Sequence, residues 1–304
     1  MMLSSANGVL LRKITVGESI ALPRATIGRP YINLYRRYNI VPLRKDSFMT
    51  YTSLILSKIS ISVISALGLY LCTTLCGQLS LGSAGFMALG AYIFAFFGTG
   101  FGAVASVIIL LVVGFAGGFL LLRLSGDALA AATLGIAELV RISLTNLSLL
   151  GGAGGYTLSV HTPWQTAILG AFLVWLFAVI FSKSRLGHLC KAISQDETAA
   201  LSCGVDTQKL KSLTFALCCA ICGLAGSLYA GAVGFICPND FSFTRSCESL
   251  AAVILGGKSP TKTALAAVAL ELLSTLLVGF SELKMLVYGA VLVLCCYRRK
   301  YAKG

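Results

Sequence analysis

The side chains able to do chemistry in this chain are few and widely spaced. Of its eleven cysteines, those in "CCAIC", residues 218–222, form a C-x-x-C, but a zinc site needs two more ligands nearby, and the histidines are only His161 and His188. The odd cysteine number, and the burial of Cys218, Cys219 and Cys222 in an apolar run, mark these residues as small hydrophobes rather than a disulfide framework. "AVILGGKS" ends in Gly257, Lys258 and Ser259 like a phosphate-binding loop, yet the first glycine of such a loop falls at Ala252, and Pro260 follows. No His, Asp, Glu or Cys cluster has triad or ligand spacing, so neither catalysis nor a cofactor nor a metal is expected. What remains is polar rather than reactive. "GQLSLGSAGFMALGAY", residues 77–92, sets Gln78, Ser80 and Ser83 among Gly77, Gly82, Gly85 and Gly90 inside a long apolar region. Glu138 and Arg141 stand three residues apart and are expected to pair on one helix, whereas Glu271 lies in an apolar run with no evident counter-charge.

These residues must be positioned by membrane-spanning helices. The 304 residues are 57% hydrophobic and 12% charged, with a mean hydropathy of +0.88, which places the chain among polytopic membrane proteins. Crossing a hydrocarbon core of about 30 Å takes roughly 20 helical residues. Apolar stretches approaching that length occur at 54–75, 86–101, 104–122, 128–149, 164–181, 213–235, 264–280 and 283–297, with a shorter piece at 250–255. The net charge of +13 is not a nucleic-acid signature, because eighteen of the 24 Lys and Arg residues fall before residue 59, in 183–212 and in 298–304. The positive-inside rule makes those three segments cytoplasmic. Residues 1–53 then read as a basic cytoplasmic tail or, being Arg-rich and acid-poor, as an organellar transit segment. Residues 54–298 form the transmembrane domain and 299–304 a cytoplasmic tail. Five apolar stretches lie between a cytoplasmic N-terminus and Lys183, an odd number, so one of them is expected not to span simply. Residues 77–102 hold the densest glycine, and broken helix at membrane depth is tolerated only inside protein or along a watery path. The reading is that 77–92 breaks the helices and lines a path for a polar solute, the side chains of Gln78, Ser80 and Ser83 standing beside exposed backbone. Close helix packing by Gly and Ser is the alternative.

"GQLSLGSAGFMALGAY", followed by "LSGDALAAATLGIAELVR", "LLGGAGGYTL" and "SRLGHLCKAISQDETAALSCGVDTQKLKSLTFALCCAICGLAGSLYAG", resembles the permease subunits of bacterial branched-chain amino-acid ABC transporters over residues 54–298. It is similar to the permease type with a Gly-Asp turn before a Thr-Leu-Gly helix, here Gly126, Asp127, Thr133, Leu134 and Gly135. The resemblance implies an all-α polytopic bundle with broken or re-entrant helices and a cytoplasmic coupling helix. Its partners would be cytoplasmic ABC ATPase subunits, a second permease and a periplasmic solute-binding protein, in a bacterial inner membrane or, if the N-terminus is a transit segment, an organellar one. Gly77, Gln78, Ser80, Gly82, Ser83, Thr133 and Gly135 are the expected pathway residues. Where the family continues its Gly-Gly turn with further glycines, this chain has Lys258, Ser259, Pro260, Thr261 and Lys262.

Residues 184–204 also read as a short amphipathic helix without the family. Leu189, Ile193 and Ala200, with Ala192, Ala199 and Cys203, give an apolar stripe, and Lys191, Asp196 and Glu197 face elsewhere. In the resembled family such a helix docks in an ATPase groove, and the matching residues are Arg185, Gly187, Lys191, Ala192, Asp196, Glu197, Ala199, Ala200 and Gly204. The function implied is a permease for branched-chain or related small amino acids, driven by a separate ATPase. Related permeases carry urea, amides, nucleosides or sugars, and an ion-driven secondary transporter is the alternative of another class, disfavoured by the scarcity of buried carboxylates for an ion relay.

Overall fold

The structure, a computed structural model, describes residues 45–98, 100–121, 124, 126–147, 151–158, 162–276 and 289. The chain divides into two units, Met1–Ser47 and Phe48–Gly304. The first is described only for residues 45–47, which are helical, so the basic tail lies outside the described residues, as do the stretch at 283–297 and the tail at 299–304. The described residues of the second unit are helical almost throughout.

Each helix ends where the sequence supplies a reason. α1 (Lys45–Tyr70) runs into a π-helical turn at Leu71–Leu75, and α2 (Ser83–Phe97) stops at Gly98, which has φ 66° and an amide bonded to Phe94 O. After α3 (Gly100–Leu121) and α4 (Asp127–Asn146), α5 (Trp164–Lys183) leads to Ser184, whose hydroxyl accepts from Gly187 N and so opens α6 (Arg185–Gln195). Asp196 opens α7 (Glu197–Ser202) and Asp206 opens α8 (Thr207–Val233), both as side-chain caps. α9 (Phe243–Gly256) ends at Gly257, and Pro260, whose missing N–H costs nothing in a first turn, begins α10 (Pro260–Leu276). Among the described residues, five segments are long and apolar enough to cross a membrane: Tyr51–Leu75, Phe101–Leu121, Asp127–Asn146, Trp164–Lys183 and Thr207–Val233. The protein is an all-α polytopic membrane protein; among the described residues the only strands are β1 (Tyr156–Thr157) and β2 (Phe235–Ile236), paired antiparallel.

α8 is the central helix, packed mainly on α2 and α3. Small residues allow it: the Gly90 Cα side faces the Gly223 backbone, and Gly226 lies on the Met87 carbonyl, so a side chain at any of these positions would strike main chain. In a membrane such close backbone approach replaces the hydrophobic drive as the source of helix cohesion.

Contacts along α8 fix the direction of its neighbours. Gly68 of α1 faces Ile221 with 3.0 Å of room for a Cβ, Ser65 and Ser249 share a 2.8 Å hydrogen bond, and Tyr70 O–H donates to Lys258 O at 2.9 Å. Gly77, just beyond, faces Ser194 of α6 at 3.3 Å. The C-terminal end of α1, the α6–α7 pair and the α9–α10 turn therefore share one end of the bundle. The β1–β2 pairing and the Arg141–Asn239 hydrogen bond (3.2 Å) mark the far end. α3 runs from the far end to the α6 end, since Gly114 meets Cys219 and Gly118 meets Ser212, near the start of α8.

Two expectations change here. The start of α1 at 51–53 lies at the far end, opposite α6, because α1 to α5 traverse the bundle five times. The break does not reduce the count. The six non-helical residues 77–82 can span at most about 20 Å, and the 15-residue α2 adds about 22 Å, so break and helix together still cross. The charge rule assigns both segments to one side, whereas the contacts of α1 put residues 51–53 and α6 at opposite ends of the bundle. The break itself is also shorter than 77–92: residues 83–92 are helical, with Gly85 on Ala137 of α4 and Gly90 on Gly223 of α8.

Candidate functional site

The break gathers most of the expected pathway residues. Gly77 has φ 74°, a left-handed conformation that only glycine adopts cheaply, and turns the chain out of the π-helical end of α1. Gln78 N bonds Cys72 O at 3.1 Å, and the Cys72 thiol donates to Gln78 Oε1 at 3.2 Å. Leu81 N donates to Thr133 Oγ1 (3.0 Å), whose own hydroxyl donates to Ala130 O (3.0 Å), so α4 supplies a partner for the interrupted backbone. Gly82 lies so close to α4 that a Cβ would stand 2.9 Å from Thr133 O, and its amide approaches Ser80 Oγ at 3.4 Å. At the start of α2, the Ala84 amide donates to Ser246 Oγ of α9 at 3.0 Å. Gly77, Gln78, Ser80, Gly82, Ser83 and Thr133 are thus brought together. Gly135 is not: two residues along a helix is a turn of about 200°, and it stands on the exposed face of α4.

Burial separates these residues further. Gln78, Ser80 and Ser83 are almost wholly enclosed, at 3%, 1% and 1% exposed, whereas Gly77 is open. Four buried polar atoms make no hydrogen bond: Thr73 Oγ1, Gln78 Nε2, Ser83 Oγ and Tyr92 Oη. Thr73, Gln78 and Ser83 flank or sit within the break, whereas Tyr92 lies further along α2. Gly77 borders a cleft of about 470 Å³ that also receives Thr73 and Thr74 from the π-turn, Lys191 and Ser194 from α6, and Lys258 from the α9–α10 turn.

The segment expected as one amphipathic helix is two. Asp196 adopts φ −150°, ψ 109°, and its Oδ1 accepts from Thr198 N (2.9 Å), Thr198 Oγ1 (2.7 Å) and Ala199 N (3.1 Å). These bonds, the Thr198 hydroxyl first, hold the Asp196 carboxyl below the usual carboxylate range. Because the helix restarts there, the expected stripe does not form. Cys190, Ile193 and Ala200 face inward with Gly187, which sits under the Phe181 carbonyl, while Leu189, Ala192, Ala199 and Cys203 are exposed. Lys191 Nζ donates to Ser182 O at 2.8 Å, tying α6 to the end of α5, and Glu197 pairs with Lys211 of α8 at 2.5 Å. Arg185, Asp196 and Gly204 complete an outward surface.

Glu138 and Arg141 pair as expected, at 2.7 Å. The counter-charge of Glu271, which the sequence hides, is Arg245: it lies 3.0 Å from Glu248, one turn along α9, and 3.8 Å from Glu271 of α10, under the Tyr229 ring. The i, i+3 spacing of Arg245 and Glu248 was the available signal. Among the described residues, no three His, Cys, Asp or Glu side chains gather as a metal set.

A helical bundle interrupted beside a surface helix pair defines a class, the membrane-embedded permeases. The family described as the branched-chain amino acid transport system / permease component matches residues 51–296, and the chain belongs to it. The high-affinity branched-chain amino acid transport system permease protein LivM of Escherichia coli (strain K12) is 34% identical over 278 aligned residues, covering 77% of this chain and 65% of that protein. LivM of Salmonella typhimurium matches to the same extent. The autoinducer 2 import system permease protein LsrC of Escherichia coli (strain K12 / DH10B) is 29% identical over 167 residues, 51% of this chain and 47% of that protein. The chain thus spans just under two thirds of the length of the LivM relatives. No solved structure matches it.

Proposed function

We propose that the chain is the membrane-spanning permease subunit of an ATP-driven importer and forms part of the path for branched-chain or related small amino acids. It works with cytoplasmic ATPase subunits, a second permease and a periplasmic solute-binding protein in a bacterial inner membrane. In this reading the ATPase subunits supply the hydrolysis; Gly256 ends a helix and Pro260 opens another around Gly257, Lys258 and Ser259, which argues against a phosphate loop at this turn.

The observation that carries the reading is the seating of α6 on the break, where a Cβ on Gly77 would stand 3.3 Å from Ser194. A displacement of α6–α7 by an ATPase bears directly on the non-helical segment 77–82, whose unpaired Gln78 and Ser83 groups are available to a polar solute once the segment moves. Arg185, Ala192, Asp196, Glu197, Ala199 and Gly204 form the ATPase-facing surface, and Gly187, Lys191 and Ala200 hold that surface to the bundle. The α6 end is cytoplasmic, which puts residues 51–53 on the periplasmic side. Reconstitution tests the reading: the chain with its companion permease, ATPases and binding protein in proteoliposomes is expected to accumulate leucine, isoleucine or valine only with ATP. Accumulation without the ATPases, or none of these three solutes with all subunits present, would count against it.

A further inference from the structure

The cleft beside Gly77 has a chemistry that the transport path does not account for. Its polar lining comes from three separate elements, with Thr73 and Thr74 on the π-turn, Lys191 and Ser194 on α6 and Lys258 on the α9–α10 turn. No Asp or Glu lines it, and neither Lys191 nor Lys258 forms an ion pair among the described residues. The nearest carboxylate in sequence, Asp196, is engaged in capping α7, and Glu197 is held by Lys211. Lys191 spends one N–H on Ser182 O, leaving two donors, and Lys258 is exposed with its ammonium free. Thr73 Oγ1 is buried without a hydrogen bond. At about 470 Å³ the cleft falls within the range of small-molecule sites. Two ammonium groups without counter-charge among the described residues, hydroxyls beside them and apolar Leu75, Val253 and Ile254 in the same wall describe a receptor for a carboxylate carried on an apolar body.

We propose that this cleft is an inward-facing binding site for a small organic carboxylate, the transported amino acid on its way out, its carboxylate held between Lys191 and Lys258. The proposal rests on the permease reading above. It adds that the exit site bridges α6 and the α9–α10 turn, so that product held there restrains the helix on which the ATPase acts. Accumulated product therefore slows its own import.

The test measures equilibrium binding of radiolabelled leucine to the full-length chain in lipid nanodiscs without the binding protein, with competition by leucinamide, which lacks the carboxylate, and by inorganic phosphate. Lys258→Gln is the first variant, because that side chain is exposed and the structural contact at this residue, from Tyr70 O–H, is made to its backbone carbonyl. Leucine is expected to bind, leucinamide to compete at least about tenfold less well, and Lys258→Gln to weaken leucine by about tenfold, the loss of one charge-assisted contact. Equal competition by leucinamide, unchanged binding to Lys258→Gln, displacement by phosphate at matched concentration, or no leucine binding overturns the site. ATP-driven uptake by the assembled complex is read in parallel. Uptake without cleft binding removes the site and leaves the permease; absent uptake of any branched-chain amino acid removes the permease reading, while leucine binding that Lys258→Gln abolishes still supports the site.

Discussion

Gln78 keeps a buried amide nitrogen without a hydrogen bond, next to a thiol that is only a weak donor to its oxygen. An unsatisfied buried polar group costs about 1–3 kcal/mol, so Gln78→Met is expected to melt no lower than wild type in detergent while uptake falls several-fold. A variant that is both less stable and fully active would show that the amide serves packing. Arg245 presents the opposite case. Removing it takes the guanidinium away from Glu248 and from the buried carboxylate of Glu271, a loss of about 3–5 kcal/mol, so Arg245→Met should lower membrane levels and melting temperature sharply. Arg245→Met with Glu271→Gln should recover part of the loss; strict additivity of the two changes would mean that the 3.8 Å pair contributes nothing. The sequence offered Gln78 and the Glu138–Arg141 pair by spacing alone. It could not offer Arg245 for Glu271, because that contact joins two helices whose facing register no local pattern encodes.

At the scale of elements, the α6–α7 pair separates folding from docking. Ala192 is exposed, so Ala192→Glu should leave the chain folded at normal membrane levels yet reduce ATP-driven uptake by tenfold or more; solute-stimulated ATPase activity like that of wild type would remove this surface from coupling. Gly204→Arg is a poorer probe, since Gly204 has φ 81° and any bulky residue is strained there, and Gly204→Asn is the proper control. Asp196→Ala should expose the junction of the two helices to proteolysis. The folded carboxyl of Asp196 is depressed, so its capping is complete above the unfolded value of about 3.9 and is lost only as pH falls through the lower folded value. Proteolysis of wild type should accordingly be flat between about pH 5 and 8, and a rise within that window would point to another group. An apolar stripe was legible across 184–204, but the restart at Asp196 was not, because an aspartate reads equally as a solvated helix residue and as a cap. The crossing of α2 and α8 is the other element-scale device: Gly226→Leu meets the Met87 carbonyl and should prevent stable accumulation altogether, which membrane immunoblotting would show.

For the whole molecule, the testable claim is direction. With the α6 end in the cytoplasm, Tyr51→Cys at the start of α1 should react in intact spheroplasts with a maleimide that cannot cross the membrane, and the exposed Cys203 should react only after permeabilisation. The reverse pattern would restore the cytoplasmic placement expected from charge. Hydropathy made the spans readable almost residue by residue, since 54–75, 128–149 and 164–181 overlie α1, α4 and α5; handedness and polarity were not, because they are set by contacts between segments far apart in the chain. One such contact also carries a cost in time. The Ala84 amide at the tip of α2 donates its hydrogen bond to the hydroxyl of Ser246, 162 residues later. A ribosome adding roughly 5–20 residues per second needs about 8–30 s to make that partner. Throughout that interval the Ala84 amide stands in the bilayer unanswered, so the insertion machinery or lipid-borne water must shelter it, and slow translation between α2 and α9 should leave more of the chain open to membrane quality-control proteases.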